Sequence, residues 1–99
     1  MEFRYDPALK AYMEQHNKKT IVVEMVEINN SDLDVSELHV FFPNDRIRER
    51  FLARRYRSVP TEMGEVLLPP FPLTFDEVVT FRLKKFLCFH SIGYTGIKV

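Results

Sequence analysis

The chain is poor in the residues that most small-protein chemistry relies on. One of its 99 residues is cysteine, three are glycine and none is tryptophan. The lone Cys88 excludes an internal disulfide and any cysteine cluster for metal within one chain, and it fits a reducing compartment. Gly64, Gly93 and Gly96 build neither a GxGxxG turn nor a Walker-type loop, so nucleotide chemistry of those kinds is excluded. No Gly-x-Ser-x-Gly elbow is present to strain and expose a serine nucleophile. His16, His39 and His90 lie on three segments, without the HxH, HxxxH or HExxH spacing that sets two imidazoles on one element. Asp6, Asp32, Asp34, Asp76 and Glu77 read as caps and turn formers, not as an acid–base pair. The expectation is a protein that is not an enzyme and carries no cofactor.

An excess of charge is missing too. Fourteen basic and fourteen acidic side chains cancel, so no broad field draws the protein to nucleic acid or to an anionic membrane. Residues 1–10 contain no signal-like apolar run, and no stretch reaches the roughly eighteen apolar residues of a membrane span. A cytoplasmic setting with no membrane partner is expected.

Apolar residues make up 45% of the chain, with nine Phe and four Tyr. A chain of this length buries roughly two thirds of its unfolded surface, enough for one core, so residues 1–99 are read as a single domain. Asp6-Pro7 supplies an N-cap acceptor and a residue whose missing N–H costs nothing at the first helical position. With Leu9, Tyr12, Met13 and His16 on one face, a helix from Pro7 to about His16 is predicted. Asn17 is its left-handed stop. Thr20–Ile28 is apolar on both faces except at Glu24 and Glu27, the pattern of a central strand. Asn29–Glu37 reads as a polar connection, and Leu38–Phe42 as the strand that follows it, broken by Pro43-Asn44-Asp45.

Asp45–Arg57 supports two readings. Ile47, Phe51 and Leu52 share a helical face that Asn44 or Asp45 would cap; alternatively, a strand from Leu52 to Val59 pairs with Glu65–Leu68 across Pro60–Gly64. Both hold if they follow one another. Leu68-Pro69-Pro70-Phe71-Pro72-Leu73 should be an extended surface connection, because its prolines remove ladder donors. Val78–Arg82 reads as a strand, Leu83–Phe89 as a short amphipathic turn or helix, and Ile92–Thr95 as a last strand ended by Gly96.

The pieces Asp76-Glu77-Val78-Val79, Leu83-Lys84-Lys85-Phe86-Leu87 and Ile92 through Gly96-Ile97-Lys98, with the strand–helix–strand opening, resemble the HesB-like family. This is the A-type iron–sulfur scaffold fold and its small Cys-Cys or Cys-selenocysteine relatives. The resemblance implies an α+β domain with a mainly antiparallel twisted sheet or small β-sandwich, an N-terminal helix and one or two short helices. It also implies a cysteine or cysteine pair after the first long strand, with a second pair near the C-terminus in scaffold members. Here the first location reads Asn29-Asn30-Ser31-Asp32, and the sequence reaches Val99 without a second pair. Thiolates are the soft ligands that hold such clusters, so the fold is expected without its cluster chemistry. Cys88, between Leu87 and Phe89, is read as a small buried hydrophobe. Its functional alternatives are an intersubunit thiol pair, or a metal or cluster held between chains by Cys88 with His90.

One local charge asymmetry stands out. Arg46, Arg48, Arg50, Arg54, Arg55 and Arg57 fall within twelve residues, opposed there by Glu49 alone. On a helix, Arg46, Arg50 and Arg54 form one i, i+4 row, and guanidinium forks suit phosphate. Arg46, Arg50, Arg54 and Arg57 are therefore candidate contacts for phosphate groups, nucleic acid or another partner. The opposing reading is a solvated face, or one paired with acidic Asp32, Asp34 and Glu37; the zero net charge favours it. Aromatic interleaving is thin, with Phe51 and Tyr56 inside the run and one of them assigned to the core. The leading expectation is a non-catalytic, scaffold-like interaction protein that binds a protein partner or itself through edge strands or its Phe-rich C-terminal surface. A phosphate or nucleic-acid module on the arginine segment is the alternative.

Overall fold

The computed structural model describes residues 2–29 and 34–98, the side chains at 27–29, 34–36 and 86 excepted. In chain order the elements are β1 (Glu2–Tyr5), α1 (Pro7–Gln15), β2 (Thr20–Asn29), β3 (Asp34–Phe41), α2 (Asp45–Ala53), β4 (Arg57–Thr61), β5 (Gly64–Leu68), β6 (Thr74–Phe86) and β7 (Phe89–Lys98). The strands form a three-stranded sheet, β1-β6-β7, and a four-stranded sheet, β3-β2-β5-β4. The α+β class stands, but both sheets are mixed: β1 runs parallel to β6 and β2 parallel to β5, while the other three pairings are antiparallel.

Helix α1 forms where the cap chemistry places it. Asp6 Oδ1 accepts the Leu9 N–H at 2.7 Å, and Pro7 opens the helix. Asn17, at φ 52°, ends it, with the Lys18 N–H donating to the Met13 carbonyl at 2.8 Å. Leu9 and Met13 are fully buried and join the principal core with Ile21, Val23, Val66 and Leu68 of one sheet and Tyr5, Val79, Phe81, Ile92 and Ile97 of the other. Strand alternation turns Val22 and Leu67 the opposite way, where they pack with Phe51 and Tyr56. The four-stranded sheet is thus covered on one face by α1 and the second sheet, and on the other by α2. That is why β2 is apolar on both faces, as a central strand should be.

The two readings of Asp45–Arg57 are both realised, one after the other: helix to Ala53, then a strand that begins at Arg57, not Leu52. β4 pairs with β5 from Arg57↔Leu68 to Thr61↔Gly64. Gly64 takes φ 143°, and a Cβ there would collide with the Lys19 carbonyl. Beyond it, Pro69 is buried whereas residues 70–72 run exposed, so the proline connection keeps only part of its course at the surface.

Other expectations are corrected. The strand after the acidic connection begins at Asp34, well before Leu38, and Asp32 lies outside the described residues. Leu83–Phe89 is neither helix nor amphipathic turn. β6 continues to Phe86, Leu87 and Cys88 make the turn, and Phe89 begins β7, so that Lys84↔Ser91, Lys85↔His90 and Phe86↔Phe89 pair across this tight connection. The alternation of buried Phe81, exposed Arg82, half-buried Leu83 and exposed Lys84 has the strand period of two. Gly96 does not end the last strand. It sits inside β7 at φ 92°, opposite a register shift between Phe75 and Thr80, and a Cβ there would lie 2.5 Å from the Val78 carbonyl oxygen. A glycine at a bulge has the signature of a strand end without being one.

Candidate functional site

Helix α2 is built from its ends inward. Asn44 Oδ1 accepts the Ile47 N–H at 2.8 Å. At the other end Arg55 adopts φ 67°, and the Tyr56 N–H donates to the Phe51 carbonyl at 3.0 Å while the Arg55 N–H donates to Leu52 at 3.1 Å. This pair of reversed hydrogen bonds is the Schellman motif, and its hydrophobic contact is present as Phe51 and Tyr56 rings 4.7 Å apart, edge to face. Both aromatics inside the arginine run are therefore core, where one was expected. The Tyr56 hydroxyl is buried without a partner of hydrogen-bonding geometry among the described residues. Burial pushes its pKa up, against the nearby Met25 backbone.

Arg48 turns inward, a role the sequence reading missed. Its Nε donates to Glu65 Oε2 at 2.5 Å and its Nη2 to Oε1 at 3.1 Å, a bidentate fork. Thr20 and Ser58 hydroxyls donate to the same carboxylate at 2.7 Å and 2.6 Å. Arg48, with these hydroxyls behind it, holds the Glu65 carboxyl down at about 2 against an ordinary 4.5. A carboxylate so fully supplied with donors is a structural anion and a poor proton acceptor; it ties α2 to β2, β4 and β5. The one available signal was an acidic residue in the otherwise apolar strand Gly64–Leu68.

The four candidate arginines part company. Arg50 and Arg54 line one cleft of about 380 Å³ together with Phe41, Ile47, Phe51 and Glu24. The Arg54 guanidinium carbon lies 5.6 Å from the Phe51 ring centroid and 6.0 Å from that of Tyr56, within reach of a cation–π attraction. Among the described residues neither Arg50 nor Arg54 is in an ion pair. Arg46 and Arg57 are exposed but do not line this cleft. The acidic partners once considered do not decide the matter: Asp32 lies outside the described residues, the Asp34 side chain is not described, and Glu37 pairs with His39 at 3.4 Å.

A second feature is the tip of the β6–β7 hairpin. Leu87 takes φ 54° and is 77% exposed; Phe89 is 69% exposed. Cys88 between them is exposed, which overturns its reading as a buried hydrophobe: the turn carries all three side chains off the core. His90 is exposed as well, its ring centroid 5.1 Å from that of Tyr12 on α1. No group of three or more His, Cys, Asp or Glu side chains placed to hold a metal ion occurs among the described residues. Nor is any described helix long and apolar enough to cross a membrane. Protein-family models, curated proteins and solved structures were each compared with the chain, and none gave a significant match.

Proposed function

We propose that the chain is a non-catalytic interaction domain of HesB-like architecture, without the cluster ligands, that docks a protein partner through the tip of the β6–β7 hairpin. The observation that carries this reading is the pair Leu87 and Phe89, two large apolar side chains held in solvent at a turn. Leucine at positive φ is strained by roughly 1–2 kcal/mol relative to glycine, so the turn retains an apolar side chain against its local preference. Burying both would contribute about 3–6 kcal/mol, a factor of roughly 10² to 10⁴ in affinity. Support for the HesB-like part comes from the strand–helix–strand order at the start of the chain and from the segments that carry the resemblance.

Charge gives the partner's chemistry. Toward the tip, from Val78 to Ser91, the hairpin carries Arg82, Lys84 and Lys85 and no acidic residue, whereas Asp76 and Glu77 lie at its base with Lys98. Two such tips repel each other, whereas an apolar pocket rimmed by carboxylates complements them. That favours a different protein over tip-to-tip self-association.

The test compares proteins captured from cells by the wild type, by Leu87→Ser/Phe89→Ser and by Lys84→Glu/Lys85→Glu, all changes at exposed positions. The expected result is one partner whose recovery falls at least tenfold with both variants and whose purified form binds the wild type directly. Equal capture by all three proteins would sink the proposal. Sedimentation showing a dimer that only the tip variants dissociate would reassign the tip to self-association, and tip-dependent binding to phosphatidylserine vesicles would reassign it to a lipid surface.

A further inference from the structure

We infer that the cleft between α2 and the outer face of the four-stranded sheet is a binding site for a small amphiphilic anion, an apolar or aromatic body bearing one phosphate or carboxylate head. This is independent of the hairpin tip. The cleft has the two parts such a ligand needs. Phe41 of β3 with Ile47 and Phe51 of α2 supply an apolar floor, and Arg50 and Arg54 stand at its rim one helical turn apart. At about 380 Å³ it has the volume of a small-ligand pocket.

The two arginines differ from Arg48 in a way that matters for binding. Arg48 is committed to Glu65 and Glu49. Arg50 in the last turn of the same helix and Arg54 at its C-cap are exposed and in no ion pair among the described residues, so their donors are not already consumed. Arg54 is also pre-positioned, because Phe51 and Tyr56 lie beneath its guanidinium. A planar fork held in place loses less freedom on binding than a free one.

Glu24 closes the sheet side of the cleft. Two cations against one carboxylate leave a net positive rim, and the carboxylate repels a second anionic group at the far end of the ligand. The arrangement therefore selects one anionic head on an apolar body, and disfavours a polyanion such as nucleic acid. This narrows the alternative first attached to the arginine segment and drops Arg46 and Arg57 from the site.

The experiment is a ¹H–¹⁵N NMR titration of the full chain with phenyl phosphate, phenylacetate, inorganic phosphate and benzyl alcohol. Saturable shifts at Ile47, Phe51 and the Arg54 amide are expected with phenyl phosphate or phenylacetate, at least tenfold tighter than with inorganic phosphate or benzyl alcohol. The Arg50→Gln/Arg54→Gln protein, whose unchanged shifts elsewhere report an intact fold, should bind at least tenfold more weakly, and Glu24→Gln several-fold more tightly. Absence of saturation by both aromatic anions up to millimolar concentration would overturn the inference. So would equal affinity for inorganic phosphate, which would mean surface counter-ions only, or binding unaffected by the double variant.

Discussion

The two helices share a design and differ in where they sit. Each has nine residues, an Asx side chain accepting the N–H three residues on, and a left-handed residue at its end that returns two hydrogen bonds into the last turn. α1 lies in the principal core, where Leu9 and Met13 are fully buried. α2 leans on the outer face of one sheet, buries Phe51 alone of its residues and keeps an arginine-rich surface. Local sequence determines that a helix forms; the layer it joins determines whether it has surface left for a ligand. On that comparison α1 is structural and α2 is the helix equipped for binding.

The largest test removes the anchor of each helix. Leu9→Ala takes a fully buried side chain from the principal core and should cost about 3–5 kcal/mol in urea unfolding. Phe51→Ala should cost nearer about 3 kcal/mol, because the smaller cluster of Val22, Phe51, Tyr56 and Leu67 lies under one helix that can settle toward the sheet. Hydrogen exchange distinguishes the two more sharply than the free energies. In the Phe51 variant the α2 amides should open well below the global free energy while those of α1 stay at it. Simultaneous opening of both helices would show that the layers are not separable.

A smaller effect probes how α2 is tied down. Glu65 has a folded pKa of about 2 against 4.5, so its contribution is fully present above pH 4.5 and is lost as pH falls toward 2. Taken whole, that depression corresponds to about 3 kcal/mol. Arg48 is 33% exposed, and solvent screening brings the expected value to about 1–2 kcal/mol. Wild type and Glu65→Gln should therefore differ by that amount near pH 6 and converge only as pH falls to about 2, followed by urea unfolding. A gap that stays constant over this range would mean that packing, not the Arg48 ion pair, holds the helix.

What was legible in the sequence follows the same division between local and distant causes. Asp6-Pro7 and Asn17 bracket α1 from positions adjacent to it in the chain, and a strand apolar on both faces predicts the opposed burial of Ile21 and Val22. The row Arg50–Arg54 could be written from helical spacing. The Arg48–Glu65 fork could not, because it depends on β2 lying parallel to β5, which presents Thr20 beside Glu65. Leu83–Phe89 was misread because Phe-Arg-Leu-Lys-Lys-Phe satisfies a short amphipathic helix as well as a strand, and only its pairing with β7 decides. Cys88 was misplaced for the same reason: apolar neighbours argue for burial until a turn puts all of them at a tip.

The finest contrast lies at the two helix ends. Asn17 and Arg55 occupy equivalent left-handed positions, at φ 52° and 67°. Asparagine tolerates this region because its short amide can bond locally, whereas arginine pays the Cβ clash in full. Glycine removes that clash at both sites but costs some entropy in the unfolded chain. Arg55→Gly should therefore stabilise by about 0.5–1 kcal/mol and Asn17→Gly by no more than a few tenths, in thermal or urea unfolding. Equal gains would mean that both ends are strained alike. No gain at Arg55 would mean that its side chain earns its place through a contact of its own, and would make the end of α2 part of what that helix binds with.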